Sequence, residues 1–260
     1  MKVKKRVFLK IGAALLGTGM AAFLLFAATS FLGDPISGSL AKVAIHEYVA
    51  QHYPEREFEI GEIKYNFKFG EYSAKVSDPT SRDTQFLVSW EGNGCSDNYE
   101  YAVLDGWNTM DRLAEECAEE IKPLLSSAEG LEQAAFTVTL SNETQENGIT
   151  PKPALDVSFE KEMASDFTLI IRADSPNPSI EEAARMLEAA DQTLKANGYF
   201  LAEYTIDLQD SEQEDHCLLI SDVTPELIEE GNLVKRFYQC ESSDLPQEGE
   251  PFVRFYPIVD

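Results

Sequence analysis

The stretch YNFKFGEYSAKVS, residues 65–77, decides how this chain folds. Tyr65, Phe67 and Phe69 alternate with Asn66 and Lys68, and a period of two marks a half-buried strand rather than a helix. Flanking segments at 57–66 (EFEIGEIKYN) and 84–91 (TQFLVSWE) extend the pattern, with Phe86, Val88 and Trp90 again alternating. Residues 57–91 therefore predict a three-stranded antiparallel meander with its aromatics on an inner face. Upstream, Asp34-Pro35 gives an N-cap and a first-turn proline, and Ile36, Leu40, Val43, Ala44 and Tyr48 recur at helical spacing until Pro54. Downstream, Leu113, Cys117, Ile121, Leu124 and Leu125 form a second helical stripe. Helix, meander and helix make a complete small α+β unit.

The second half repeats the theme without a residue-level repeat. Strands are expected at 134–140, 167–173, 199–207 and 216–222, and a polar, Gly- and Pro-bearing stretch to residue 154 reads as a boundary loop. A helix begins at the Ser179/Glu182 capping box and closes at Asn197-Gly198, and Thr224-Pro225 opens a last helix to about Tyr238.

Ile11–Leu32 is an uncharged run of 22 residues, about 33 Å long as a helix and close to the hydrocarbon thickness of a bilayer. Lys2, Lys4, Lys5, Arg6 and Lys10 precede it with no acid, so the positive-inside rule places the N-terminus in the cytoplasm and exports residues 34–260. A cleaved signal peptide is the competing reading, with Ala28-Thr29-Ser30 as small residues for cleavage, but its apolar core is typically shorter. The expected architecture is α+β, with an N-terminal transmembrane helix followed by two small subdomains of antiparallel sheet packed with helices. Residues 1–33 form the basic flank and anchor, 34–127 the N-terminal domain and 128–260 the C-terminal domain. The expected localisation is the cell membrane, single-pass, with the membrane itself as a partner through residues 11–32.

Charge excludes one class of function. The chain has 21 Lys+Arg against 46 Asp+Glu, and removing the five N-terminal bases leaves 16 against 46 for residues 34–260. A surface that acidic lacks the basic clusters that engage phosphate backbones, so nucleic acid is not an expected partner.

Catalytic patterns are fragmentary. Ser39-Leu-Ala-Lys42 matches S-x-x-K and Ser96-Asp97-Asn98 matches the second motif of penicillin-recognising serine enzymes, but K-T-G has no counterpart. Ser39, Lys42 and Ser96 make an envelope acyl-transfer enzyme the alternative reading. His46-Glu47 begins a zincin motif, yet its second His position is Ala50, and His52 lies about 240° around a helix from His46. Asp207, Asp210, Glu212, Glu214 and Asp215 crowd one turn without the EF-hand spacing. No metal site and no cofactor are expected. Cys95, Cys117, Cys217 and Cys240 allow three disulfide pairings, with Cys95–Cys117 and Cys217–Cys240 the natural ones, while Cys117 on an apolar stripe equally suits a free thiol.

The segments Gly33-Asp-Pro35, His52-Tyr-Pro54, Tyr65 to Tyr72 (YNFKFGEY) and Asp78 to Phe86 (DPTSRDTQF) resemble the YfjL-like proteins of Gram-positive bacteria. That resemblance, carried mainly by residues 33–110, implies a membrane-associated chain with distinct N- and C-terminal domains and supplies no catalytic residues. The leading expectation is a non-catalytic binding or sensing module of the cell envelope that takes an envelope protein, a peptide or a cell-wall ligand. Its binding edge is expected on the aromatic strands 65–72 and 84–91, at Tyr65, Phe67, Phe69 and Tyr72 with the turn residues Thr80, Ser81 and Arg82. A third possibility is an accessory partner of another membrane protein, packed through Gly12, Gly17 and Gly19.

Overall fold

Helix α1, Pro35–His52, starts where the Asp34 carboxylate accepts from the backbone N–H groups of Ile36 and Ser37 at 3.0 and 2.9 Å. It buries Ala41, Ile45 and Val49, spaced four apart on one face. A computed structural model of the chain describes residues 12, 15–20, 23–24, 29–213, 215–241 and 249–256. The chain divides into two units, 1–104 and 105–260.

In the first unit α1 covers an antiparallel sheet of β1 (Glu59–Ile60), β2 (Lys64–Asn66), β3 (Glu71–Ser77), β4 (Gln85–Trp90) and β5 (Cys95–Asp97). β3 pairs with β4 on one side; on the other, β1 takes its C-terminal part and β2 its N-terminal part. The expected single strand 57–66 is thus two, interrupted where Gly61 donates to the Lys75 carbonyl at 2.8 Å. A Cβ at Gly61 would lie 3.1 Å from that same oxygen. Ile45, Val49, Ala74, Val76, Phe86, Val88, Ala102 and Val103 close the core.

The second unit holds α2 (Trp107–Leu125), α3 (Asn142–Asn147), α4 (Ile180–Ala196), α5 (Pro225–Glu229) and α6 (Leu233–Glu241). Its sheet runs β10-β9-β8-β7-β6, from β6 (Ala135–Leu140), β7 (Phe167–Ser175), β8 (Glu203–Asp210), β9 (Cys217–Val223) and β10 (Phe252–Tyr256). The expected all-antiparallel sheet is corrected here, because β7 and β8 are parallel, joined by α4 as a crossover. The expected helix 225–238 is broken at Gly231, φ +68°, into α5 and α6. α2 packs on β6, so the division falls between Leu104 and Asp105, earlier in the chain than residue 127.

The expected transmembrane helix is also corrected: among the described residues no helix is long and apolar enough to cross a membrane. Of Ile11–Leu32, residues 12, 15–20, 23–24 and 29–32 are helical, and the rest, with the basic flank at 1–10, lie outside the described residues. The run does not continue into α1, because Gly33 turns the chain at φ +72° and Asp34 opens a new helix. The single-pass localisation rested on that span and falls with it.

Candidate functional site

Strand register builds an aromatic ladder at one end of the first sheet. Tyr65 pairs with Tyr72 across β2 and β3, and Tyr72 pairs with Trp90 across β3 and β4, which puts three rings side by side on one face. Ring centroids are 4.9 Å apart for Tyr65 and Tyr72 and 6.1 Å for Tyr72 and Trp90. Ala74, Val76, Phe86 and Val88 continue this face into the core, so the ladder is the core's open end.

The beginning of α1 holds the central ring. Tyr72 donates its hydroxyl to the Asp34 carbonyl at 2.8 Å, and burial pushes its phenol above the ordinary range. A Cβ at Gly33 would lie 2.8 Å from Tyr65 Cγ at a φ of +72°, so the close approach requires glycine there, and one at Gly38 would lie a tight 3.3 Å from Tyr72 Cε1. Beside the ladder lies a pocket of 430 Å³ whose lining includes Asp34, Tyr65, Tyr72, Trp90 and Glu91. The Asp34 carboxyl is held below the usual carboxylate range by its bonds to the Ser37 hydroxyl and to the backbone N–H groups it caps. Phe67 and Phe69, in the tight turn after β2, are 54% and 77% exposed, and Phe31 approaches Phe67 at a centroid distance of 5.8 Å.

The structure does not bring the other expected binding residues to this end. Thr80, Ser81 and Arg82 sit between β3 and β4 beyond the Ser77–Gln85 pair, five residues and about 17 Å along β3 from Tyr72. Their hydroxyls serve the turn itself: Thr80 donates to Asp78 at 2.6 Å and Ser81 to Thr84 at 2.8 Å. Arg82 is exposed on the same turn.

A second aromatic group closes the opposite end of α1. Tyr53, Phe58, Phe86 and Tyr99 pack mutually with centroids 5.0 to 6.3 Å apart. Tyr48 and Tyr53 both donate to Asp97 Oδ2 at 2.8 Å, while Asp97 Oδ1 accepts from the Tyr99 amide at 2.9 Å. Burial, then the bond to Asp97, pushes the Tyr48 phenol up to about 12, and Tyr53 shifts the same way for the same reasons. The Asp97-Asn98 part of the serine-enzyme motif is therefore structural, since Asn98 Oδ1 accepts from Leu87 N at 2.7 Å. Ser39 donates to its own helix at Pro35 O, 2.8 Å, and lines a pocket with Lys42 and His46 that Ser96 does not line. His52 stacks on Tyr48 at 3.9 Å, away from His46.

The second unit offers a polar pocket of 480 Å³ where β6 ends and β7 and β8 begin. Burial raises the Asp166 carboxyl there, while Glu203 already accepts from Thr168 Oγ1 at 3.0 Å and Asn142 N at 3.3 Å. At the acidic turn Asp210 accepts from the amides of Glu212 and Gln213, and Glu214 lies outside the described residues. Among the described residues no group of three or more His, Cys, Asp or Glu is placed to hold a metal ion. All four cysteines are free thiols, and burial pushes Cys117 up to about 12.

Gly33 is not among the residues expected at the site, and Trp90 and Glu91 enter that expectation only as part of the strand 84–91. Alternation alone places Trp90 on the inner face, and only the register between β3 and β4 shows that it completes a ladder.

These features define a two-unit α+β protein whose first unit carries an aromatic-lined pocket. The chain belongs to the YfjL-like family: residues 4–97 match the YfjL-like N-terminal domain and residues 116–237 the YfjL-like C-terminal domain. It is 28% identical over 211 residues to "Uncharacterized protein YfjL" of Bacillus subtilis, covering 79% of this chain and 85% of that one. A crystal structure of a DUF5037 family protein from Ruminococcus gnavus aligns at 13% identity with a TM-score of 0.23, covering 64% of this chain and 73% of that one. That likeness is too distant to carry an argument.

Proposed function

We propose that the protein is a non-catalytic binding module whose ligand site is the ladder pocket of the first unit. One observation supports this above the others: three aromatic side chains converge on a 430 Å³ pocket at the sheet end where the core is left open. Concave sites with aromatic walls and a few placed polar groups are the usual form of small-ligand sites. Two exposed phenylalanines in the adjoining turn add apolar surface that the fold itself does not bury.

A ligand-observed NMR screen of a water-soluble fragment set against the full chain tests it. Compounds are expected whose signal transfer is lost in Tyr65→Leu while the far-UV spectrum is unchanged. If every bound compound is indifferent to Tyr65, the ladder is not the site.

A further inference from the structure

The charges around the ladder select a class of ligand. Asp34 and Glu91 line the pocket with the three rings, and among the described residues no Lys, Arg or His lines it. Ring faces carry negative potential and attract cations within about 6 Å of the centroid. An anion would have one natural seat here, the N-terminus of α1, and the Asp34 carboxylate already fills it by accepting from Ile36 N and Ser37 N. Tyr72 has its hydroxyl committed to the Asp34 carbonyl, so it offers the pocket a ring rather than a donor.

Hard metal ions want several converging oxygens, and the described residues provide no group of three or more acidic, His or Cys ligands. Aromatic rings suit instead a weakly hydrated cation with apolar substituents. The excess of 46 acids over 16 bases in residues 34–260 raises the local concentration of any such cation.

We propose, resting on the binding-module reading above, that the ladder pocket takes the quaternary or alkylated ammonium group of a free small organic cation, with the row of Tyr65, Tyr72 and Trp90 on one side of the charge and Asp34 and Glu91 supplying the counter-charge. A phosphodiester-linked ammonium is disfavoured, because its phosphate would face the same two carboxylates.

The two tryptophans fall one in each unit, so Trp107→Phe leaves Trp90 as a reporter inside the pocket. In that full-length chain, choline chloride at constant ionic strength is expected to change Trp90 emission saturably. Tyr65→Leu is expected to weaken binding about tenfold, and the fold-neutral surface change Glu91→Gln about threefold. Dimethylbutanol, the uncharged carbon analogue of choline, is expected to leave the emission unchanged where choline saturates. An equal midpoint for the alcohol, choline midpoints unmoved in both variants, or glycerophosphocholine binding as tightly as choline would each overturn the proposal. Tyr65-dependent binding of uncharged fragments without any choline response would overturn the ligand class and leave the binding module standing.

Discussion

The first unit contains two aromatic groups built on the same helix and sheet, and they are put to opposite uses. At the C-terminal end of α1, Tyr53, Phe58, Phe86 and Tyr99 pack around one another, and the hydroxyl of Tyr53 ends on Asp97. At the N-terminal end, Tyr65, Tyr72 and Trp90 stand in a row with a pocket beside them and Phe67 and Phe69 beyond. Packing among four rings on all sides yields stability; a row of three leaves one side for a ligand. The same residue type thus means core or site according to what occupies its remaining face.

The largest effect expected from breaking the closed group is at Phe86, which is 3% exposed and touches three other rings. Phe86→Ala is expected to cost about 3–5 kcal/mol, read as a lower urea midpoint of Trp90 emission in the Trp107→Phe chain. A loss under about 1 kcal/mol would show that this group is not the core of the unit. Next comes the seam between ladder and helix. Gly33→Ala puts a Cβ 2.8 Å from Tyr65 Cγ at a φ of +72°, and a cost of about 1–3 kcal/mol is expected by the same measurement.

Asp97 gives the third test. Tyr48→Phe and Tyr53→Phe each remove one hydrogen bond to Oδ2, and about 1 kcal/mol is expected for each. Because both share one acceptor atom, the double variant should depart from the sum of the singles, and strict additivity would mean that the hydroxyls act independently. The same bond carries a pH signature. The Tyr48 phenol is held near 12 in the folded chain against about 10 when unfolded, so the native state binds the proton more tightly. Its contribution is complete below pH 10 and is lost as pH rises through about 12. The urea midpoint should therefore fall between pH 10 and 12, and fall less in Tyr48→Phe.

How far the sequence shows this can be followed residue by residue. Periodicity places α1, β3, β4, α2 and α4 within a few residues, because each alternates or repeats strongly enough to define a buried face. It misses β5, three residues long and polar, and β10, a five-residue strand well after the last expected helix. It also joins α5 to α6 across Gly231 and gives no hint that α4 makes β7 and β8 parallel, since direction depends on the tertiary crossover. At the site, Tyr65, Phe67 and Phe69 are visible as aromatics in alternation, with Tyr72 three residues further on. Their separation from Thr80, Ser81 and Arg82 is invisible until the length of β3 is laid between them. The 22-residue apolar run is conspicuous in composition, but composition does not show the turn at Gly33 that separates its end from α1.

The smallest effect on stability is expected where the sequence signal is loudest. Phe69 is as aromatic as Phe86, yet it is 77% exposed in a turn, so a polar side chain there gives up little buried area. Phe69→Ser is expected to move the urea midpoint by no more than about 0.5 kcal/mol, whereas its effect should appear in fragment binding at the ladder. A loss above about 1 kcal/mol would place Phe69 in the folding core and dissolve the contrast between the two groups. An unchanged midpoint with weakened binding would sharpen it, because a large apolar side chain that the fold does not use is then explained by what the open end of the sheet receives.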